Sequence, residues 1–276
     1  MHNAAMAHLR LNWRYLAFDT CPEHLREAIV GAKAMRFIGL NLTVPHKLAA
    51  VHFVDMLDKS AKTWGAVNTI RFEGCSNGRW KSVAALADKV PDRIRSVGFN
   101  TDADAITRDM EERFGHRLKG IRVLVLGAGG AARVAALKLA SEGVHSLFLV
   151  NRTLRRAKEI AEAVRRTHPG VNAIVGYPKG PVDLVVNATS LGLRSNDPLP
   201  LDCRKFQLKH AGAVYDMIYR PAETALLKSA RAAGCKTANG LGMLLFQGAA
   251  AFELWTGRNA PLNVMRQALE ENIYES

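Results

Sequence analysis

Cysteine is scarce and scattered. Cys21, Cys75, Cys203 and Cys235 stand far apart, with no Cys-x-x-Cys pair and no metal-like histidine spacing around them, which excludes a disulfide framework and a zinc module and leaves four reduced, structural thiols. Neither His2/His8 nor His46/His52 has the i, i+4 helical spacing with an intervening glutamate that a zinc site uses, so no metal is expected. No apolar run reaches the roughly 18 residues of a membrane span. The start, Met1-His2-Asn3-Ala4-Ala5, lacks the basic segment and apolar stretch of a secretory signal. The expectation is a cytoplasmic protein without a membrane partner. Aromatic residues make up only 7% and are not interleaved with the basic ones. The formal charge of +13, from 38 basic and 25 acidic residues, is spread along the chain, and no nucleic-acid motif organises it. It is better read as a general attraction for anionic small molecules. Internal repeats and low-complexity segments are also missing.

What remains is a folded α/β protein. The 276 residues, 48% hydrophobic and 23% charged, exceed one ordinary core and fit two domains. From Met1 to about Leu11 the pattern is helical. Tyr15 to Phe18 reads as a short strand, and Pro22 opens a helix to about Met35. Phe37 to Val44 is the next strand. Pro45 then starts a helix to about Leu57 that buries Leu48, Val51 and Val54, and Ala66 to Phe72 is another strand. This alternation predicts a mostly parallel sheet. Between Phe72 and Phe99 the signal weakens, although Ser76-Asn77-Gly78 is a good turn and Ala84 to Val90 suits one or two helical turns. Thr101-Asp102 caps a helix to about Phe114.

Beyond it the pattern is that of a dinucleotide-binding lobe. Ile121 to Leu126 is a buried strand, Ala131 to Ala140 a helix and Ser146 to Val150 a strand. Leu154, Ala157, Ala161 and Val164 line one face of a further helix. Ala173 to Val175, Leu184 to Asn187 and Val214 to Ile218 are strands, and Leu241 to Trp255 and Leu262 to Glu270 are closing helices. Gly127, Gly129 and Ala132 match G-x-G-x-x-A between a strand and a helix, where glycines let a pyrophosphate approach a helix N-terminus. An NAD site usually ends the second strand with Asp or Glu. Here the position reads Asn151-Arg152-Thr153. Guanidinium and hydroxyl groups attract a 2'-phosphate that a carboxylate would repel, so NADP is favoured. Thr153 doubles as a helix N-cap, and Arg155 and Arg156 are each open to phosphate contact or to a place on a solvated helix face. Asn187-Ala188-Thr189-Ser190 and Tyr215-Asp216-Met217-Ile218-Tyr219 end two strands where the cofactor crosses, with their side chains expected to face the crevice.

Three polar runs in the first lobe carry the remaining chemistry: Asn41-Leu-Thr-Val-Pro-His-Lys47, Ala66-Val-Asn68-Thr69 and Asn100-Thr101-Asp102. Each follows or ends a strand, where ligands of open α/β sheets gather. One amine, one carboxylate and several neutral hydrogen-bonding groups suit a small polyhydroxylated molecule and a proton transfer. A structural salt bridge is the competing reading of Lys47 and Asp102.

These stretches, together with Met1-His2-Asn3-Ala4-Ala5, Gly65 to Thr69, Gly127-Ala-Gly-Gly-Ala131, Asn151-Arg-Thr153, Asn187-Ala-Thr-Ser190, Tyr215-Asp-Met217, Gly240-Leu-Gly-Met243 and Gln247, make the chain similar to the shikimate dehydrogenase family over nearly its whole length. The resemblance implies a substrate-binding domain of residues 1–101 plus 240–276 and a Rossmann-type domain of residues 102–239. It implies an NADP-dependent oxidoreductase acting on a CH–OH group, reversibly reducing 3-dehydroshikimate to shikimate on the route to chorismate and the aromatic amino acids, as a monomer or homodimer. By matching position, Lys47 and Asp102 are the catalytic pair. Asn41, Thr43, Asn68, Tyr219 and Gln247 hold the substrate. Gly127, Ala128, Gly129, Gly130 and Ala131 take the pyrophosphate, while Asn151, Arg152, Thr153 and Arg156 take the 2'-phosphate side. Thr189, Met217, Gly240 and Met243 line the cofactor's path toward the nicotinamide.

The chain departs from the family in three places. The strand and Ser-x-Ser-x-Ser-Pro turn that ordinarily precede Met-His-Asn do not stand before it here: either the given start is internal to a longer reading frame, or the chain is a shortened homologue with an opened substrate lobe, for which weakened substrate binding with retained NADP binding is expected. Residues 73–98 form a longer link than usual, and Ala103 and Ala105 replace common glycines. The alternatives are a quinate/shikimate dehydrogenase of broader cofactor use and a catalytically weak NADP-binding homologue.

Overall fold

The computed structural model describes residues 1–86, 91, 93–115 and 117–274. Its chain divides into two compact units, one of Met1–Asp102 and Leu245–Asn272, the other of Ala103–Leu244 and Ile273–Ser276.

The first unit runs α1 (His2–His8), α2 (Leu25–Ala34), β1 (Gly39–Asn41), α3 (His46–Ala49), β2 (Met56–Leu57), α4 (Lys59–Trp64), β3 (Thr69–Ser76), β4 (Arg79–Ser82) and β5 (Arg93–Phe99). The strands form one sheet in the order β1-β3-β5-β2, with β4 added beside β3. Only β2 and β5 pair in parallel; β3 runs antiparallel to β1, β4 and β5. The parallel pairing expected for this sheet therefore gives way to a mixed one. For β4 the cause is local, because a two-residue turn returns the chain directly from β3 to β4 without the crossover helix that a parallel neighbour needs. Asn77 and Gly78 in that turn have φ of 53° and 75°, the left-handed conformations that a tight hairpin favours. The helical turns expected for Ala84 to Val90 begin as a short 3-10 segment, Val83–Ala85, and residues 87–90 lie outside the described ones.

Two other elements differ from their sequence reading. Tyr15 to Phe18 forms no strand. Instead the Asn3 side chain clamps the Tyr15 backbone, accepting from its N–H at 2.7 Å and donating to its carbonyl at 2.9 Å, while Leu16 and Phe18 point to solvent. The helix after Pro45 ends at Ala49 and tightens into a 3-10 turn, Ala50–His52. With three residues per turn the apolar face rotates, which leaves Leu48 exposed while Val51 and Val54 pack against the core of Leu25, Ile29, Ile70 and Phe72. Trp255 closes that core by donating its indole N–H to Ile70 O at 2.9 Å. A Cβ on Gly39 would stand 2.0 Å from the indole nitrogen, so only glycine fits there.

The second unit begins at Ala103, the second residue of α5 (Asp102–Phe114), and continues β6 (Arg122–Leu126), α6 (Gly130–Ser141), β7 (Ser146–Val150), α7 (Leu154–Thr167), β8 (Asn172–Val175), β9 (Val182–Asn187), β10 (Ala211–Asp216), α8 (Ala225–Ala232) and β11 (Lys236–Asn239). Its six strands are ordered β11-β10-β9-β6-β7-β8, every pair parallel. This is the doubly wound arrangement expected of a dinucleotide-binding domain. On α7 the buried face is Ala157, Ile160, Ala161 and Val164. Leu154, read as part of it, is exposed because it opens the first turn, before the helix reaches the sheet. The chain ends with α9 (Leu241–Thr256) and α10 (Leu262–Tyr274). No helix is long and apolar enough to cross a membrane among the described residues.

Candidate active site

In the first unit the side chains of Lys47, Asn68 and Asp102 converge. Lys47 lies on α3, whose position is fixed by a backbone bond from Val67 N to Lys47 O at 2.9 Å. Its Nζ donates to Asp102 Oδ2 at 2.8 Å, with the two side chains 28% and 12% exposed. At that depth the pair stays open to a ligand. Asn68 is buried just past α4, and its amide nitrogen is shared among Asp102 Oδ1 at 3.0 Å, Thr101 Oγ1 at 2.9 Å and Gln247 Oε1 at 3.3 Å. Its carbonyl oxygen accepts from Thr101 N at 2.8 Å. Asn68 thus holds Asp102 from one side while Lys47 holds it from the other. Asn41 sits at the end of β1, donating to Thr69 Oγ1 at 3.0 Å and accepting from the Tyr15 hydroxyl at 3.0 Å. Thr43 is exposed in the following loop. Tyr15 is a participant that the motifs do not single out; Thr101 reads as a helix cap, but its hydroxyl accepts from Asn68.

In the second unit the turn after β6 is built for close approach. Gly127 has φ of +111°, and a Cβ there would meet the Ala188 carbonyl oxygen at 2.9 Å. Gly129 and Gly130 face open space, and Gly130 opens α6, whose first turn carries no acidic residue. Ala128 and Ala131 complete this turn. An anion is therefore favoured by the helix end, with no acidic residue in that first turn to repel it. At the end of β7, Asn151 Nδ2 donates to Thr153 O at 3.0 Å. Thr153 is the N-cap of α7 by position, but its hydroxyl makes no capping bond. Arg152 and Arg156 are exposed, and none of the described ion pairs uses them, whereas Arg155 pairs with Glu159 at 3.2 Å.

The strand ends of β9 and β10 are tied by buried polar groups. Asn187 accepts from Thr189 N at 3.0 Å and Thr189 Oγ1 at 2.7 Å, and donates to Asp216 Oδ1 at 2.9 Å. Asp216 also accepts from Thr224 Oγ1 at 2.7 Å and Ile218 N at 3.1 Å. Burial raises its carboxyl pKa above the usual value, against the opposing pull of these bonds. Tyr215 and Asp216, expected to face a crevice, are instead fully buried; each has bonding partners only in the interior of its own unit. Met217 N is anchored on Asn187 O at 3.0 Å, and Gly240 N on Ile218 O at 3.2 Å. A Cβ on Gly240 would lie 2.3 Å from Met217 O. Tyr219 follows in the second unit, partly exposed, and Met243 lies in the first turn of α9.

Among the described residues no cluster of three His, Cys, Asp or Glu side chains is arranged for a metal. The four thiols are free, with Cys75 and Cys235 buried. Cys21 and Cys203 are exposed, contrary to the structural role read for all four.

Comparison with known proteins bears on this geometry. Residues 1–70 match the family described as shikimate dehydrogenase substrate binding domain, residues 109–190 shikimate/quinate 5-dehydrogenase, and residues 240–270 the shikimate 5'-dehydrogenase C-terminal domain. A protein of Methanopyrus kandleri named shikimate dehydrogenase (NADP(+)) is 40% identical over 99% of this chain and 90% of its own. The chain belongs to the shikimate dehydrogenase family. Among solved structures, a shikimate dehydrogenase in complex with NADP+ aligns with a TM-score of 0.83 at 35% identity, covering 99% of this chain and 89% of the other. A Gluconobacter 5-ketofructose reductase aligns at 0.79 and 32% identity, covering 98% and 92%.

Proposed function

We propose that this shikimate dehydrogenase family member is an NADP-dependent oxidoreductase that reversibly reduces 3-dehydroshikimate to shikimate. The observation that carries the reading is the Lys47–Asp102 pair at 2.8 Å, braced by Asn68. The cradle at Gly127 to Ala131 fits a pyrophosphate, and Asn151, Arg152, Thr153 and Arg156 fit a 2'-phosphate. Thr189, Met217, Gly240 and Met243 serve the nicotinamide end. When bound, the dinucleotide supplies or takes up the hydride.

Reduction of a ketone leaves negative charge on its oxygen, and a donor must stand within hydrogen-bond reach to quench it. Lys47 Nζ fills that role, delivering a proton to the oxygen in reduction and accepting one from the hydroxyl in oxidation. Asp102 holds the ammonium in one orientation and offers a carboxylate oxygen to a neighbouring substrate hydroxyl. Asn68 and Gln247 keep Asp102 oriented and present amide groups to the ring hydroxyls. Thr43 and Tyr219 add hydroxyl contacts, and Asn41 supports the loop that bears Thr43.

Incubation with NADP and shikimate, followed by the absorbance of reduced nicotinamide, tests the reading. Turnover with shikimate should exceed that with quinate, and the reverse reaction should favour 3-dehydroshikimate over 5-ketofructose. No turnover of shikimate with either cofactor, or a preference for 5-ketofructose, would reject the assignment.

A further inference from the structure

Asp109 belongs to no motif, yet it is completely buried on α5. Its Oδ2 accepts two hydrogen bonds, from the Tyr215 hydroxyl at 2.6 Å and from the backbone N–H of Met243 at 3.0 Å. Its Oδ1 lies 3.5 Å from Arg113 Nε, with no hydrogen bond formed. The same oxygen occupies the place beside Gly242 where a side chain would begin, since a Cβ there would stand 1.8 Å away. Burying a carboxylate is costly unless its lone pairs are used, and a helix start leaves N–H groups without partners. Each need answers the other here. Asp109 acts as a cap for α9 supplied from another helix, and through Tyr215 it locks the same turn to β10, two residues before Met217.

We infer that Asp109 is a positioning residue for the cofactor: the Asp109–Tyr215 pair sets where the Gly240–Met243 turn lies against the end of β10, and hence how tightly the nicotinamide end of NADP is held. The inference rests on the reading that Met217, Gly240 and Met243 serve that end. Three features support it beyond simple packing. The contact is with a backbone N–H of the cofactor turn itself. Gly242 is small where the carboxylate needs room. The tyrosine that shares the carboxylate lies on the strand that delivers Met217.

Titration calorimetry with NADPH on the full chain tests the proposal, alongside separate KM values for NADP and shikimate. Asp109→Ala and Tyr215→Phe should weaken NADPH binding, by about tenfold or more for the first, the factor expected from losing a hydrogen bond to a buried charge. KM for NADP should rise in parallel while KM for shikimate stays within about twofold. Asp109→Asn keeps a carbonyl acceptor for both donors and should retain most of the affinity, which a role in charge alone would not allow. Should Asp109→Ala fail to fold, Tyr215→Phe and Asp109→Asn decide the matter. Wild-type binding with unchanged affinity in folded Tyr215→Phe or Asp109→Ala would overturn the inference alone. Absence of NADPH binding by the wild-type chain would overturn the cofactor-site reading and this inference with it.

Discussion

At Lys47 the chemistry depends on one amine being held while remaining partly open to solvent. The amine reaches Asp102 across 55 positions of sequence, and the backbone of the short helix that bears it is pinned by Val67. Removing the amine should leave that backbone in place. Lys47→Ala is therefore expected to lower kcat by about 100-fold to 10,000-fold, the usual range for a positioned acid or base, with NADPH affinity by calorimetry nearly unchanged. Turnover equal to wild type would remove Lys47 from the mechanism. Arg152 poses a different question, because its guanidinium is exposed and uncommitted to any described ion pair. If it grips a 2'-phosphate, Arg152→Ala should weaken NADP about 10-fold to 100-fold, the worth of a charge-assisted pair, and leave NAD affinity where it was. Equal losses for the two cofactors would count against the phosphate contact.

The hairpin of β3, β4 and β5 shows what elements add to residues. Glu73 on β3 faces Arg95 on β5 in direct register. It accepts from Arg95 Nη2 at 2.7 Å and from Arg71 on its own strand, and Trp80 on β4 stacks on the Arg95 guanidinium at 4.3 Å. Burial pushes the Glu73 carboxyl up, but the bonds from Arg95 and Arg71 outweigh it and its pKa is lowered. A carboxyl lowered in the folded state adds stability above its unfolded pKa of about 4.3, and that contribution disappears as pH falls through the folded value. Glu73→Gln should thus cost about 1–3 kcal/mol at neutral pH, with the deficit steady down to about pH 5 and shrinking below about pH 4. Trp13, Trp64, Trp80 and Trp255 all belong to the first unit, so urea unfolding followed by tryptophan fluorescence reports on the unit that contains the clamp. A deficit of the same size at pH 7 and below pH 4 would rule the ion pair out as its source.

These elements also show what a sequence can carry. Ser146–Val150 was readable to the residue because a strand buried on both faces is one continuous apolar run. By contrast β1, β2 and α3 have only three, two and four residues, so the strand expected at Phe37 to Val44 and the helix expected from Pro45 to Leu57 are longer than the elements that form, and β2 falls inside the expected helix. The six-residue α4 and the four-residue β11, Lys-Thr-Ala-Asn, have no counterpart in the sequence reading. Lys47, Asn68 and Asp102 stood out as polar groups at strand ends. Asp109 did not, since an acid flanked by Arg108, Glu111 and Glu112 looks like part of a solvated helix face. Its burial is decided by Tyr215 and Met243, more than a hundred positions away.

Two units with separate polar machinery imply separable ligand responses. The Lys47, Asn68 and Asp102 cluster lies wholly in the first unit, and the Gly127 turn, Arg152 and Thr189 wholly in the second. A ligand that binds only the folded form stabilises what it touches by RT ln(1 + [L]/Kd), about 2.7 kcal/mol at a hundredfold excess over Kd, which slows exchange through opening of that unit about 100-fold. Under NADP, hydrogen exchange should therefore slow at residues 126–133, 151–156 and 187–191 more than at residues 41–47. Shikimate should do the reverse, protecting residues 41–47 and 66–69. The formal charge of +13 adds a long-range pull on both anionic ligands, so both apparent affinities should weaken as salt shortens the Debye length from about 10 Å at 0.1 M to about 3 Å at 1 M, while the pattern of protected residues stays the same. NADP protection centred on residues 41–47, with residues 126–133 unchanged, would reverse the assignment of substrate and cofactor to the two units.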